Sequence, residues 1–154
     1  MRSDADASPL PTAVAWLGHG GLLPFVALAL AAWLGGEWAE PARQAQLAYG
    51  AVILSFVGAL HWGLAMAAPG LDARARSGRY VWSVVPSLMG WVALLLPGVA
   101  GFWLLAVGFV LHFGQDWRHA RGAGVPGWYL PLRARLTAVA TACVLLTALV
   151  PAGA

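Results

Sequence analysis

Charged residues are scarce in this sequence of 154 residues, and their scarcity argues against a soluble protein. Asp, Glu, Lys and Arg make up 10% of the chain, whereas a soluble domain has about 25%. Hydrophobic residues make up 60%, and the mean hydropathy is +0.73. A chain with so few polar side chains cannot cover a water-facing surface, so the composition favours an exterior in contact with lipid.

Cysteine and the familiar catalytic patterns are also lacking. The single cysteine, Cys143, lies inside an apolar run, which excludes an internal disulfide and a cysteine-rich metal or iron–sulfur site. There is no paired-carboxylate site, no nucleophile–base pair at a recognisable spacing and no Gly-rich phosphate loop, so the sequence gives little support to an enzyme. The net charge of +3 does not indicate nucleic acid binding, because the arginines lie between apolar spans and form no solvated face of their own.

What the chain does contain is five apolar segments of 17 to 24 residues, close to the ~20 that cross a bilayer as a helix. They predict an all-α polytopic membrane protein with one five-helix transmembrane domain. Strands are not expected, because these runs lack the two-residue alternation of a barrel. A disordered cytoplasmic tail is predicted over residues 1–10 and the transmembrane domain over residues 11–151, with spans at about 12–34, 44–67, 80–96, 99–115 and 130–150.

The arginines predict the orientation of these spans. Five spans place the N-terminal tail, the 68–79 loop and the 116–129 loop on one side of the membrane. Arg43 alone lies on the other side, beside Glu37 and Glu40. Because basic loops stay in the compartment where a protein is made, we expect the N-terminus inside and the C-terminus outside. The eight inside arginines are Arg2, Arg74, Arg76, Arg79, Arg118, Arg121, Arg133 and Arg135.

Small residues and prolines predict how the helices pack. The second span carries a small-residue ridge at every fourth position, which lets another helix approach closely: Ala51, Ser55, Ala59, Gly63 and Ala67. Gly50, Gly58 and Ala65 share a second face with His61, so this helix is expected to be central. Pro24 and Pro86 remove hydrogen bonds inside the first and third spans and are expected to kink them.

Polar residues inside the predicted spans are concentrated near their inner ends. His19, His61 and His112 lie roughly 8–12 Å below the inner boundary by the rise of a helix. Intramembrane ionisable residues are functional candidates by default, so these histidines predict an inner-leaflet pocket that binds a haem, a metal, a quinone or a lipid headgroup. The other candidates in that half of the membrane are Ser83, Ser87, Gln115 and Asp116.

A structural interpretation of the same residues stays open. A neutral histidine two turns deep can bridge helices by bonding a serine or a freed carbonyl. Asp116 can pair with Arg118 or Arg121, and His119 is expected to be a solvated loop residue. The spacing His112-x-x-x-Asp116-x-x-His119 nevertheless aligns three possible ligands on one helical stripe.

The loop arginines also allow two interpretations. Arg74, Arg76 and Arg79 are candidates for binding anionic lipid headgroups, each worth ~1 kcal/mol near a charged leaflet. Arg133 and Arg135 are further headgroup candidates and are expected to anchor the start of the last span at the interface. The alternative is that these arginines serve only to orient the chain.

Several segments together resemble the membrane family known as domain of unknown function 3429 (DUF3429). They are GLLPFVALAL, YGAVILSFVGALHWGLAM, VWSVVPSLMGWVALL, the Asp116 end of the fourth span and PGWYLPLRARLT, in this order. The resemblance covers nearly the whole chain after the tail and implies a bacterial inner-membrane or mitochondrial protein. It implies no activity, cofactor or catalytic residue.

Two functional hypotheses follow. The first is a non-enzymatic helix bundle in the bacterial cytoplasmic membrane that acts as an accessory or assembly partner of other membrane proteins. Short loops and small-residue ridges support it. The second is the ligand pocket lined by His19, His61 and His112, whose cofactor or metal the sequence does not identify.

Overall fold

The computed structural model describes residues 9–120 and 125–151, and within these ranges the chain is helical and contains no strand. A 3₁₀ helix at Gly36–Trp38 separates the second and third α-helices. The predicted tail falls almost entirely outside the described residues. The α-helices are α1 (Thr12–Gly20), α2 (Leu22–Leu34), α3 (Ala39–Ala67), α4 (Ala73–Leu95), α5 (Ala100–Ala120) and α6 (Tyr129–Ala148).

Helices cover all five predicted spans, but three of them extend further than predicted. α3 begins at Ala39, α4 at Ala73 and α5 continues to Ala120. The N-terminus of α4 is capped by Asp72, whose side chain accepts a hydrogen bond from the Ala75 amide at 2.6 Å, a common way to satisfy a free N–H at a helix start. The arginines assigned to the 68–79 loop therefore lie on a helix, and the prediction of a loop there is corrected.

The first span is divided into α1 and α2 at Gly21. Pro24, in the first turn of α2, has no N–H to donate, so the helical hydrogen-bond pattern is interrupted here. The hydroxyl of Tyr49 on α3 donates to the carbonyl of Gly21 at 2.9 Å. A neighbouring helix thus satisfies part of the backbone that the break exposes.

α3 is the central helix, as expected: it packs against α2, α4, α5 and α6. Its glycines allow close contact with α4 and α5. A Cβ added to Gly58 would lie 2.9 Å from the carbonyl oxygen of Ser83, and one added to Gly50 would lie 2.8 Å from Leu105 Cδ1. The largest buried apolar side chains around these contacts are Phe25, Leu54, Leu105 and Val144.

The predicted small-residue ridge is only partly used inside the bundle. Ala51 is buried against Gly90 of α4, whereas Ala59, Gly63 and Ala67 are exposed. The expectation that the whole ridge packs within the chain is therefore corrected. The face that carries His61, Gly50, Gly58 and Ala65 is the buried one.

Side chains from neighbouring helices satisfy carbonyls at two helix ends. Arg43 donates to the carbonyls of Thr147 and Val150 at 2.8 and 3.0 Å. Arg76 donates to the carbonyls of Ala65 and Ala68 at 2.8 and 3.3 Å. The last carbonyls of a helix lack intrahelical partners and carry partial negative charge, so a guanidinium suits both positions.

The outer surface of the bundle is rich in large apolar side chains. Trp91, Trp103 and Phe56 are more than half exposed, and similar residues cover every long helix, an arrangement that a water-exposed surface rarely tolerates. Among the residues that the structure describes, three helical segments are long and apolar enough to cross a membrane: Thr12–Leu34, Gly36–Ala67 and Tyr129–Ala148. α4 carries charged residues at its start, and α5 carries them at its end.

Candidate functional site

A buried ion pair between α5 and α6 forms the centre of the candidate site. Arg133 Nε donates to Asp116 Oδ2 at 2.7 Å, and both residues are almost fully buried. Asp116 Oδ1 accepts hydrogen bonds from the Tyr129 hydroxyl at 3.1 Å and from His61 Nε2 at 2.8 Å. Donors from α3 and α6 thus converge on one carboxylate of α5, which compensates for burying its charge.

His61 extends this network from Asp116 to the end of α5. Its Nδ1 lies 3.1 Å from Nδ1 of His119. Because His61 Nε2–H donates to the carboxylate, a neutral His61 has a lone pair on Nδ1 that accepts the His119 N–H. His119 lies beyond the predicted span of α5, where partial burial, with smaller contributions from His61 and Arg79, lowers its pKa.

His112 lies beside the ion pair with one nitrogen unpaired. The indole N–H of Trp82 on α4 donates to His112 Nδ1 at 3.3 Å. A neutral His112 therefore carries its hydrogen on Nε2. That nitrogen is buried without a hydrogen-bond partner among the described residues, 3.9 Å from Asp116 Oδ1.

The structure brings together some of the predicted site residues and separates others. His61, His112 and Asp116 meet, but His19 is exposed and its ring bonds the carbonyl of Ala15 on its own helix at 2.7 Å. The prediction that three histidines share a pocket is therefore corrected: His119 lies in the cluster and His19 does not.

The remaining polar candidates lie outside the cluster. Ser83 is buried and donates to the carbonyl of Tyr80 at 2.7 Å, while Ser87 and Gln115 are half-buried. Arg135 and Arg74 are exposed. Arg118 is exposed as well, and Arg121 falls outside the described residues, so the expected partner of Asp116 is replaced by Arg133.

Tyr129 is a site residue that the sequence interpretation did not single out, and Arg133 was expected only to anchor the last span or bind a lipid headgroup. Both side chains point to Asp116. Their spacing of four residues places them on one face at the start of α6. The available signal was the basic residue on that face, Arg133. Asp116 is the acidic residue at the end of the fourth predicted span, and the two charges suit a pair.

The cluster also has the donor atoms of a metal site. His61, His112 and Asp116 each offer one ligand atom, and these atoms all lie within 4.8 Å of one another, a donor set that suits zinc or iron. Two contacts oppose a cation. Arg133 already neutralises the carboxylate, and the Trp82 N–H faces His112 Nδ1, where a metal-bound imidazole would carry its own hydrogen. Both contacts therefore count against a metal ion in this cluster.

An apolar groove adjoins the ion pair. It has a volume of about 610 Å³ and runs between α1, α2, α3 and α6, with Phe109 contributed by α5. Trp128, Tyr129, Arg133 and Thr137 provide the polar side chains of its lining. No histidine lines it, so a haem held by an axial histidine does not fit this groove.

Comparison with known sequences gives a family match. The profile of a family described as protein of unknown function (DUF3429) matches residues 10–149. Transmembrane protein 69 of Xenopus tropicalis is 35% identical over 145 residues, which is 91% of this chain and 55% of that protein. The chain thus spans about half the length of this curated relative. No solved structure matches.

Replacing Asp116 by Asn tests how strongly the cluster depends on its ion pair. The variant leaves Arg133 buried without an anion, and we expect it to lower the free energy of unfolding by about 3–5 kcal/mol. The measurement is reversible unfolding in mixed detergent micelles.

Glu40→Gln is the matched control, because Glu40 is exposed and lies 3.4 Å from Arg43, so its loss should cost less than about 1 kcal/mol. The double variant Asp116→Leu with Arg133→Met should regain part of the stability. If Asp116→Asn and Glu40→Gln lowered the free energy of unfolding equally, the central role of Asp116 would be contradicted.

Proposed function

This chain belongs to the DUF3429 family of membrane proteins of unknown function, and we propose that it binds a membrane-soluble molecule with an apolar tail and a neutral, hydrogen-bonding head. The observation that carries this proposal is the apolar groove that ends at Tyr129 and Arg133. A concave apolar site with a few polar groups at one end is the usual form of a small-molecule site.

The charges at the polar end of the groove favour a neutral head group. Arg133 is paired with Asp116 at 2.7 Å, so the groove offers hydrogen-bond donors without a net positive charge. A phosphate would be left with an uncompensated charge, whereas a carbonyl oxygen needs only a donor. A quinone, with carbonyl acceptors and a long apolar tail, is the chemical class that combines these properties.

The proposed ligand site belongs to a chain that crosses the bacterial cytoplasmic membrane five times, with the N-terminus inside. The separation of the arginines supports this topology. Arg133 lies at the start of α6, while Arg43 donates to the carbonyl of Thr147 fourteen residues later, which is ~21 Å along a helix. Arg133 and Arg43 therefore lie near opposite ends of the bundle. The two ends carry very different numbers of basic residues, as expected for opposite membrane surfaces.

A second function, as a partner of other membrane proteins, is supported by the exposed part of the small-residue ridge. Ala59, Gly63 and Ala67 lie on one outward face of α3, and a Cβ at Gly63 would meet nothing within 4 Å. In lipid, such a surface allows another helix to approach closely and gain packing energy. Binding through this face is compatible with a ligand in the groove, because the two surfaces differ.

Substitution of Gly18 tests the ligand groove. Gly18 lines the groove, and its added Cβ would lie 3.4 Å from Leu136 Cδ1. Gly18→Leu should occupy ligand space and weaken binding of a short-chain ubiquinone analogue about tenfold or more, the effect of ~1–3 kcal/mol of overpacking. Tyr129→Phe removes the hydroxyl that donates to Asp116 and so helps to hold Arg133 at the groove, and it should weaken binding less, by about fivefold. The measurement is quenching of tryptophan fluorescence, since Trp128 lines the groove.

Gly20→Leu is the control for this experiment, because Gly20 lies on the same helix and its Cβ would meet nothing within 4 Å. It should bind as the wild type does. Saturable binding that is unchanged in Gly18→Leu, or no saturable binding at all, would refute the quinone site. A bound metal or a haem spectrum in the purified protein would favour the histidine cluster instead.

Cysteine labelling tests the topology. In a Cys143→Ala background, single cysteines replace Ser3, Ser77, Glu37 and Ala152. A membrane-impermeant maleimide should label Glu37→Cys and Ala152→Cys in intact cells, but Ser3→Cys and Ser77→Cys only after permeabilisation, because the first pair faces outward. Labelling of both termini from the same side would rule out an odd number of crossings.

Extraction in mild detergent followed by native mass measurement tests the partner function. Gly63→Leu should release a bound protein that the wild type retains, because a large side chain separates the helices. Gly114→Leu is the control, since Gly114 is also exposed with open space around its Cβ. A wild-type chain that is strictly monomeric and free of partners contradicts this function.

A further inference from the structure

An open cleft lies between the start of α4 and the end of α5, away from the apolar groove. It is lined by Asp72, Arg74, Ala75, Gly78, Arg79 and His119. None of these residues lines the groove. Arg79 lies on α4 and His119 on α5, so the two side chains meet only in the folded bundle. The cleft is therefore a separate feature with a different chemistry.

Arg79 is the unusual member of this cleft. Its side chain is 6% exposed, yet its Nη1 is buried with no hydrogen-bond partner among the residues described. A buried guanidinium is normally paired, because an unpaired buried donor of this kind loses its hydration without compensation. A buried guanidinium nitrogen without a partner, on an arginine that lines a cleft, indicates that an acceptor outside the described residues completes the site.

The other residues of the cleft give it a positive balance. Arg74 adds a second guanidinium, and Asp72 is the one carboxylate in the lining. One oxygen of Asp72 is already engaged, since it accepts from the Ala75 amide at 2.6 Å. The first turn of α4 also lies here, and its free N–H groups favour an anion. Gly78 leaves space, because a Cβ there would meet nothing within 4 Å.

We propose that this cleft binds a phosphate group, held by Arg79 and Arg74. Guanidinium groups bind phosphate oxygens through parallel hydrogen bonds and keep their charge when buried. The phosphate is that of an anionic phospholipid headgroup or of a small phosphate ester, and both sources present the same acceptor oxygens. This inference does not depend on the quinone groove, because Arg133 and Tyr129 line that groove and not this cleft.

The test uses the full chain in phosphatidylcholine nanodiscs prepared with and without phosphatidylglycerol, and native mass spectrometry counts the lipid that remains bound. Arg79→Gln should lower the affinity for phosphatidylglycerol about tenfold, the effect of losing one charge-assisted hydrogen bond. Gly78→Glu, which keeps both arginines but places a carboxylate in the open space, should lower it as well. Arg135→Gln is the matched control, because Arg135 is exposed, lies outside the cleft and changes the net charge equally.

A second arm identifies the source of the phosphate. Inorganic phosphate and glycerol 3-phosphate are titrated into the phosphatidylcholine nanodiscs, and a rise in the unfolding temperature reports binding. Stabilisation by either small anion that is lost in Arg79→Gln supports the site and assigns it to a soluble ligand. Equal loss of lipid in Arg79→Gln and Arg135→Gln, or no binding of any of these anions, overturns the proposal.

Discussion

The carboxylate of Asp116 is the group on which the end of the bundle formed by the C-terminus of α5 and the N-terminus of α6 depends. It is buried, and it is kept charged by a guanidinium from α6 and by donors from α3 and α6. A charge in a low-dielectric interior is tolerated only when it is paired and fully hydrogen-bonded. The position and orientation of three helices are therefore tied to one side chain, and the polar residues around it cannot be rearranged independently.

This constraint also determines what the site can accept. Since Arg133 neutralises Asp116, the cluster has no spare negative charge to attract a metal ion. The cleft at Arg79 has the opposite property, because Nη1 of Arg79 has no hydrogen-bond partner in the described part of the chain. Two neighbouring regions of the same end of the bundle thus differ in chemistry: one is a compensated pair beside an apolar groove, and the other carries uncompensated positive charge.

The central position of α3 shows how the small residues are used. Gly50 and Gly58 allow neighbouring helices to pack against its buried face, and that same face brings His61 to Asp116. Ala59 and Gly63 lie on the exposed face. Small residues in a membrane helix permit close approach on any side, but they do not indicate whether the neighbour belongs to the same chain. The small-residue ridge is present in the sequence, but only part of it contacts another helix of this chain.

The sequence by itself determined the helical class, the positions of the five apolar segments and the placement of His61 and His112 within two of them, because hydropathy and residue spacing act locally along a helix. Only the tertiary structure decided that Arg133 pairs with Asp116, that His119 joins His61 and that His19 faces outward. Those facts depend on how each helix is rotated and on where α5 ends. Such quantities are set by packing between distant segments, and no local pattern specifies them.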